Sequence, residues 1–258
     1  MIPDIIHYCW FSGEEMPPLL RDCMASWRRH MPECEIRLWD MEAVRHIDNR
    51  FMREALDLRM WAFATDYVRL YAVERYGGIY MDTDVMLYGS LKPYMADRMF
   101  IGRECVAFDG RRPIMTLTSH LFGAEPHHPF LKACLRHYEG RPFVLSADTT
   151  LPKSLRFDQT IVPFIQALIA ESVAGYDARA GAPQTQHLAD GLTVYPEKLF
   201  VGGRGAVANH FVCGSWREHA LGSHVVSVPL WRRAIGALHL HDTFERLLRR
   251  MGYWAVRL

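Results

Sequence analysis

Hydrophobic and polar positions follow different periods along the chain, and the changes of period mark the predicted elements. Residues 5–10 form a short apolar run that ends at a Ser-Gly pair, which indicates a buried first strand. Residues 17–30 place apolar side chains at helical spacing, with prolines at the start of the segment. Residues 34–40 then alternate in the manner of a second strand. A strand, a helix and a strand in this order predict a βαβ unit with a parallel pair.

The clearest predicted helix runs from Met60 to Tyr76. Gly77 is well placed to end this helix, because glycine readily adopts the backbone conformation of a C-terminal cap. Residues 79–81 then predict a short strand that carries Asp82 at its end. The apolar side chains that define the helix lie at i, i+4, i+7 and i+8, namely Phe63, Tyr67, Leu70 and Tyr71.

The remainder of the chain predicts a single α/β domain with a helical tail. Residues 99–105 and 119–125 resemble further strands, and residues 128–140 resemble a capped helix. Residues 181–205 are rich in turn-forming residues with only short apolar runs between them. Residues 229–258 change character and predict a basic amphipathic helix. Because no repeat or low-complexity linker interrupts the chain, residues 1–258 are expected to form one domain.

Composition limits the classes of function. Thirty basic residues against 29 acidic ones give a net charge of +1, which does not support a dedicated nucleic-acid binder. The six cysteines include no CxxC pair, so neither zinc-site spacing nor a disulfide framework is expected. The N-terminal sequence lacks the features of a signal peptide, and no apolar stretch reaches the roughly 18 residues of a membrane span. These features predict a cytoplasmic protein.

Two aspartates separated by one threonine, Asp82 and Asp84, follow the predicted third strand. Residues i and i+2 on an extended backbone project to the same side, so both carboxylates can converge on one point. Two such carboxylates repel each other, and a divalent cation relieves that repulsion. Hard oxygen ligands favour Mg²⁺ or Mn²⁺. The alternative is a solvated acidic turn, which an isolated pair of this kind more often forms, but the preceding helix and Gly-Gly favour the metal site.

A second charged pair precedes these aspartates on the predicted helix. Asp66 and Arg69 are three residues apart and therefore lie on the same helical face. The spacing alone favours a surface ion pair, which contributes only a few tenths of a kcal/mol. The functional alternative places Asp66 on sugar hydroxyls and Arg69 near a phosphate or sugar oxygen, because a guanidinium suits such acceptors.

Three segments occur in the order and spacing of glycosyltransferase family 32: "IPDIIHYCWFSGEEMP" at 2–17, "WAFATDYVRLYAVERYGGIYMDTDV" at 61–85 and "VANHFVCGSW" at 207–216. That family groups sugar transferases of bacterial capsule and lipopolysaccharide synthesis with yeast-type mannosyltransferases, and is similar in its core motifs to the glucosylating domains of large clostridial toxins. The resemblance implies a GT-A fold, which is a Rossmann-like, mainly parallel mixed sheet flanked by helices. It also implies a retaining reaction and a divalent metal at the DxD.

The resemblance implies donor contacts for three residues. Trp10 matches the aromatic residue at the end of the first strand that stacks on the nucleobase, and such stacking contributes about 1–3 kcal/mol per base in comparable systems. Asp66 and Arg69 match the helix pair that contacts the donor sugar and ribose.

The resemblance also implies metal ligands. Asp84 matches the direct ligand, and Asp82 matches the carboxylate that is turned towards ribose, sugar and metal-bound water. Where the family often has His-His-aromatic, this chain has Asn209, His210 and Phe211. His210 aligns with the first of those histidines and is the candidate for a further metal or phosphate ligand.

The third segment closes with Ser215 and Trp216, which match a pair that lies near the diphosphate leaving group in relatives. No residue of the chain identifies itself as a catalytic nucleophile. Family analogy favours front-face attack over a covalent carboxylate intermediate. Asp158 is a candidate sugar-contacting carboxylate on the acceptor side, and a loop cap is an equal alternative.

The expected function is a metal-dependent retaining glycosyltransferase of surface polysaccharide synthesis. Its partners would be a UDP- or GDP-sugar, Mn²⁺ or Mg²⁺, and a glycan or lipid-linked oligosaccharide acceptor. Residues 1–90 would form the nucleotide-sugar-binding half and residues 91–228 the acceptor-side half. One alternative is a metal-dependent nucleotidyltransferase or phosphohydrolase, although no phosphate-cradling glycine-rich loop with a lysine is present. The other is a non-catalytic nucleotide-sugar-binding protein.

The tail at residues 229–258 combines basic and aromatic residues. On one amphipathic helix these side chains could rest on an anionic membrane surface, which would bring the enzyme to a lipid-linked acceptor at the inner face of the membrane. A helix packed on the domain with a solvated arginine face is the favoured alternative. The residues concerned are Trp231, Arg232, Arg233, Phe244, Arg246, Leu247, Leu248, Arg249, Arg250, Trp254 and Arg257.

Overall fold

The computed structural model describes residues 1–109, 112–160, 162–179, 181–203 and 205–211. The predicted helical tail lies outside the described residues, as do Ser215 and Trp216. Within the described ranges, no helix is both long enough and apolar enough to span a membrane.

The described part of the chain contains nine strands and seven α-helices. The strands are β1 (Ile5–Cys9), β2 (Glu35–Trp39), β3 (Gly78–Met81), β4 (Val85–Leu87), β5 (Met99–Asp109), β6 (Arg112–Ala124), β7 (Gln186–His187), β8 (Leu192–Tyr195) and β9 (Ala208–His210). The α-helices are α1 (Pro18–His30), α2 (Arg50–Asp57), α3 (Trp61–Tyr76), α4 (Pro129–Arg136), α5 (Lys153–Arg156), α6 (Val162–Ala174) and α7 (Glu197–Phe200).

Seven strands form one sheet in the order β2-β1-β3-β6-β5-β8-β7, and β4 and β9 form a small second sheet. The neighbours β1–β2, β1–β3 and β5–β8 are parallel, whereas β6 and β7 run antiparallel to their neighbours. Five strands therefore share one direction. The predicted Rossmann-like, mainly parallel mixed sheet flanked by helices is confirmed. The strand order reverses between β1 and β3, because β2 lies on one side of β1 and β3 on the other.

Buried side chains on the two faces of this sheet belong to two separate clusters. Along β3, Tyr80 lies in one cluster, while Ile79 and Met81 lie in the other. The first cluster includes the buried face of α3, and the second includes Trp27 of α1. This alternation of side chains along the strand allows helices to cover both faces of the sheet.

The elements β1, α1, β2, α3 and β3 were all predicted from the spacing of apolar residues, and the structure confirms each of them within two residues of the expected ends. The sequence prediction missed α2, α6 and β8. The segment at 181–205 was predicted to be rich in turns with short apolar runs, and no element was assigned there; the structure places β7, β8 and α7 in it, with β8 parallel to β5. Four residues are too few to establish a strand period.

Two consecutive glycines join α3 to β3. Gly77 has φ 66° and Gly78 has φ 100°, both in a region that side chains rarely adopt. A Cβ atom at position 78 would lie 2.5 Å from the backbone oxygen of Ile5 in the neighbouring strand. The glycine therefore allows β3 to start directly beside β1.

Replacing Gly78 with Ala is expected to lower the free energy of unfolding by about 2 kcal/mol or more, because it adds a backbone clash to the strain of positive φ. Gly140→Ala is the matched control, since Gly140 has φ 67° but no atom within 4 Å of the added Cβ. That control should lose only about 1 kcal/mol, the cost of a side chain in the left-handed region alone. Urea denaturation of both variants measures the difference, and equal losses would contradict the role assigned to the close approach.

The start of β3 is also fixed by a buried histidine. His7 is inaccessible to solvent, and its Nδ1 accepts a hydrogen bond of 3.1 Å from Trp39 Nε1. Its Nε2 therefore carries the proton and donates to the carbonyl oxygen of Gly77 at 2.8 Å. Burial lowers the pKa of His7 from 6.5 to about 4.

Because the folded-state pKa of His7 lies below its unfolded value, its contribution to stability is complete above pH 6.5 and is lost as pH falls towards 4. The loss is expected to reach about 3 kcal/mol. Urea unfolding between pH 7 and pH 4 should show a shallower decline for His7→Gln than for the wild type. Identical slopes would show that His7 does not titrate in this way.

Candidate active site

The candidate site lies beyond the carboxyl ends of β1 and β3, where the strand order reverses. In open α/β sheets this crevice is the usual place for a ligand. Trp10 follows β1 directly, and Asp82 follows β3 directly, so the parallel pairing of the two strands brings both residues to the same edge. Trp10 is half-buried, and its indole nitrogen donates to the backbone oxygen of Glu14 at 2.8 Å.

The two aspartates lie in a turn between β3 and β4, closed by a hydrogen bond of 3.0 Å from the Val85 amide to the Asp82 carbonyl. The expectation that they converge through an extended backbone is therefore wrong. They converge nevertheless, because the turn brings ligand atoms of Asp82, Asp84 and His210 within 4.8 Å of one another. The acidic turn and the candidate metal site are thus the same feature.

The small second sheet brings His210 to the aspartates. Strand β9 pairs with β4 so that His210 lies opposite Val85, and the Phe211 amide donates to the carbonyl of Asp84 at 3.1 Å. His210 Nε2 lies 3.4 Å from Asp84 Oδ1. Burial alone would lower the pKa of His210, but the Asp84 carboxylate more than offsets this, so the net direction is upward.

This donor set fits a divalent cation. Two carboxylates and one imidazole can supply both oxygen and nitrogen ligands, a combination that suits Mn²⁺ and is tolerated by Mg²⁺. Asp84 is only 8% exposed, so a bound cation would relieve a buried negative charge in addition to the repulsion between the two carboxylates.

Arg69 lies beneath the aspartates with its side chain only 6% exposed. Its Nη2 lies 3.1 Å from Asp66 Oδ1, and its Nη1 lies 3.4 Å from Asp82 Oδ2. The same Nη1 donates to the backbone oxygen of Ser119 at 2.8 Å, and Nε donates to that of Thr65 at 3.2 Å. The pair predicted from the i, i+3 spacing exists, but it is buried and shared with Asp82. Arg69 orients both carboxylates.

A second donor fixes the other oxygen of Asp82. The Tyr80 hydroxyl donates to Asp82 Oδ1 at 2.7 Å, so both carboxylate oxygens accept a bond from the protein. The Arg69 guanidinium also lies over the Tyr80 ring, 5.0 Å from the ring centroid. Burial raises the pKa of Asp66 to about 7, with Arg69 acting against this rise and Asp82 adding to it. Arg69 and Asp82 therefore act on the Asp66 carboxyl in opposite directions.

Sequence reasoning missed two residues beside this trio, Glu104 on β5 and His120 on β6. The His120 ring stacks on that of His210 with centroids 4.0 Å apart and planes 22° apart. Ligand atoms of Glu104, His120 and His210 also lie within 4.8 Å of one another. Burial holds the pKa of His120 well below its usual value, so this ring is neutral. No motif marks either residue, because only the pairing of β5 with β6 brings them to the site.

Asp158 behaves as a loop cap. Its carboxylate accepts a hydrogen bond from Arg141 Nε, and it also accepts from the Thr160 amide at 3.1 Å and the Thr160 hydroxyl at 2.7 Å. It is 6% exposed. These contacts agree with the loop-cap alternative, and a contact between Asp158 and a sugar stays a prediction.

The chain is similar in sequence to known glycosyltransferases. A family model of the glycosyltransferase sugar-binding region containing the DXD motif matches residues 17–101. The chain is 27% identical over 135 residues to an uncharacterised glycosyltransferase of Acanthamoeba polyphaga mimivirus, covering 50% of this chain and 52% of that protein. It is 28% identical over 141 residues to inositol phosphoceramide mannosyltransferase 1 of Schizosaccharomyces pombe, covering 50% and 40%. The solved PaToxG glycosyltransferase matches 66% of this chain and 69% of its own, with 14% identity and a TM-score of 0.43.

The mainly parallel mixed sheet, with two carboxylates and an imidazole at its switch point, has the arrangement expected of a GT-A fold. The chain spans about half the length, or less, of the two curated relatives. Residues 17–101 are therefore similar to the sugar-binding region of DXD-containing glycosyltransferases, and the two relatives are a glycosyltransferase and a mannosyltransferase.

Proposed function

We propose that this protein is a metal-dependent retaining glycosyltransferase that uses a nucleotide-diphosphate sugar. The observation that carries the proposal is the convergence of Asp82, Asp84 and His210 at the switch point of the sheet. A divalent cation held there would neutralise a diphosphate and offset the charge that develops as the diphosphate leaves. Asp84 would hold the cation most directly, with His210 as a second ligand.

Other residues of the site would position the donor. The half-buried indole of Trp10 presents a ring at the same edge as the aspartates, which suits stacking on a nucleobase. Asp82, held by Tyr80 and Arg69, would accept hydrogen bonds from ribose or sugar hydroxyls. Asp66 would join it through the Arg69 guanidinium they share. Arg69 itself would act by orienting these carboxylates, because each of its nitrogens already contacts the protein.

The proposed acceptor is a glycan or lipid-linked oligosaccharide of surface polysaccharide synthesis, and Ser215 and Trp216 would lie near the leaving diphosphate. Residues 1–90 would supply the nucleobase and sugar contacts, and residues 91–228 the acceptor side. His210 is an exception, since it comes from the second segment and joins the ligands of the first. The proposed location is cytoplasmic, with a tail at residues 229–258 that packs on the domain as the favoured arrangement and peripheral membrane contact as the alternative.

Product analysis tests this proposal. The protein is incubated with Mn²⁺ and a panel of UDP- and GDP-sugars, with and without oligosaccharide and lipid-linked acceptors. A transferase gives both free nucleoside diphosphate and glycosylated acceptor with one donor of the panel. Release of nucleoside monophosphate or inorganic phosphate would instead identify a nucleotidyltransferase or phosphohydrolase. Donor binding with no product would identify a binding protein.

A further inference from the structure

Strand β5 is irregular at the point where it passes the site. Its pairing with β6 shifts register between Ile101 and Arg103, and again between Arg103 and Val106. Such irregularities turn individual side chains away from the regular alternation of a strand and are common beside active sites. In this stretch, two threonine hydroxyls of β6 act as hydrogen-bond acceptors for backbone amides of β5. Thr118 accepts from the Gly102 amide at 3.0 Å, and Thr116 accepts from the Cys105 amide at 3.1 Å.

Glu104 lies within this irregular stretch, and one of its carboxylate oxygens is inaccessible to solvent. Its carboxylate lies within 4.8 Å of a ring nitrogen of His210 and of His120. Its neighbour Arg103 is buried and donates to backbone oxygens in the segment at 177–182. The two neighbouring charged side chains therefore lie in different surroundings, Arg103 against the segment at 177–182 and Glu104 beside the histidines.

His210 requires a defined tautomer to act as a ligand. Its Nε2 faces Asp84 at 3.4 Å, so a cation held with the aspartates needs the lone pair on Nε2 and the proton on Nδ1. Nδ1 is buried and makes no hydrogen bond to the described residues. A buried N–H without an acceptor is costly, and metal-bound histidines almost always donate this proton to a carboxylate, a carbonyl or water.

His120 is a poor acceptor for that proton. Its Nε2 lies 3.2 Å from the carbonyl of Phe200 and must therefore donate, which leaves the lone pair on Nδ1. The lone pairs and N–H groups of imidazoles lie in the ring plane, and these two rings stack with their planes 22° apart. The Nδ1–H of His210 therefore does not point at the lone pair of His120 Nδ1. The carboxylate of Glu104 is the suitable acceptor.

We infer that Glu104 is a positioning residue for the metal site, acting through His210. With a divalent cation bound beside Asp84, the carboxylate of Glu104 would accept a hydrogen bond from the Nδ1–H of His210 and thereby keep the Nε2 lone pair available for that cation. The neutral ring of His120 stacks on the ring of His210. This inference rests on the proposed metal site at the DXD turn.

Mn²⁺ titration calorimetry on the full chain tests this role directly. Glu104→Ala is expected to weaken Mn²⁺ binding by about 10–100-fold, the usual effect of losing an outer partner of a ligating histidine. Glu104→Gln should weaken it less, because the amide keeps an acceptor oxygen. The control is Glu171→Gln. It removes a carboxylate of α6 that is paired with Arg112 at the start of β6, and it should leave the Mn²⁺ affinity unchanged.

A second measurement separates positioning from a loss of fold. Thermal unfolding without metal should be close to wild type for Glu104→Gln, while the rise in Tm on adding Mn²⁺ should shrink. With Mg²⁺ bound, the ¹⁵N NMR shifts of His210 should report the Nδ1–H tautomer in the wild type. An Nε2–H tautomer, or Mn²⁺ affinity within twofold of wild type for Glu104→Ala, would overturn the inference.

Asp84→Asn distinguishes this inference from the proposed function. If Asp84→Asn abolishes Mn²⁺ binding but Glu104→Ala does not weaken it, the metal site is correct and only the role of Glu104 is wrong. If Asp84→Asn leaves Mn²⁺ binding intact, the metal site at the DXD turn is wrong, and the role inferred for Glu104 is wrong with it.

Discussion

Asp84→Asn is expected to lower the rate of sugar transfer by about 100-fold or more. The substitution keeps the size of the side chain but removes the charge that a divalent cation needs at the turn between β3 and β4. Cation stabilisation of a leaving diphosphate is worth several kcal/mol, and each 1.36 kcal/mol corresponds to about a tenfold change in rate. The expected loss therefore follows from losing the ligand rather than from losing the fold.

Initial-rate assays with Mn²⁺ and the active donor measure this effect, together with Mn²⁺-dependent binding of the free nucleoside diphosphate. Asp177→Asn is the matched control, because it removes a carboxylate that is paired with Arg179 in a loop. That control should transfer sugar at the wild-type rate. If Asp84→Asn leaves both sugar transfer and nucleotide binding unchanged, Asp82 and Asp84 form an acidic turn that holds no metal ion.

Arg69→Met is expected to destabilise the protein by about 3 kcal/mol or more. Removing one partner of a buried ion pair leaves an uncompensated charge, which typically costs about 3–5 kcal/mol. Here two carboxylates lose their shared guanidinium, although Asp82 is 24% exposed and retains some solvation. The backbone oxygen of Ser119 would also lose its donor.

Urea denaturation of Arg69→Met tests this expectation. Arg98→Met is the control, because its ion pair with Glu125 is exposed to solvent and should contribute far less. Adding Asp66→Leu to Arg69→Met should restore part of the lost stability, since it removes one of the two unpaired carboxylates. A double variant that is less stable than Arg69→Met would contradict the assignment of Arg69 as their counter-charge.

The first third of the fold was predictable because each element has a clear period and a clear end. Gly77 and Gly78 mark the end of α3 in the sequence, and the structure confirms both the helix end and the strand that follows. Burial within α3 was less predictable. The spacing indicated one apolar face, yet Arg69 is buried as deeply as Phe63, because the carboxylates and Ser119 accept its hydrogen bonds.

The candidate site was predictable only where a local pattern marks it. Asp82 and Asp84 stand out as a pair after an apolar strand, whereas His210 was found only through the resemblance to a family. Glu104 and His120 carry no local signal. Their position depends on a hairpin register that shifts twice and is held by threonine hydroxyls, and such long-range pairing cannot be read from residue spacing.

The pairing of β4 with β9 joins Val85 to His210, which lie 125 positions apart in the chain. On the ribosome the DXD turn is synthesised long before the histidine, so the early chain holds only two of the three proposed ligands. Closing a loop of this length costs conformational entropy that local contacts cannot offset early in folding. Tight cation binding is therefore expected to appear late, after the last strand has docked, and it would report that the whole described chain has folded.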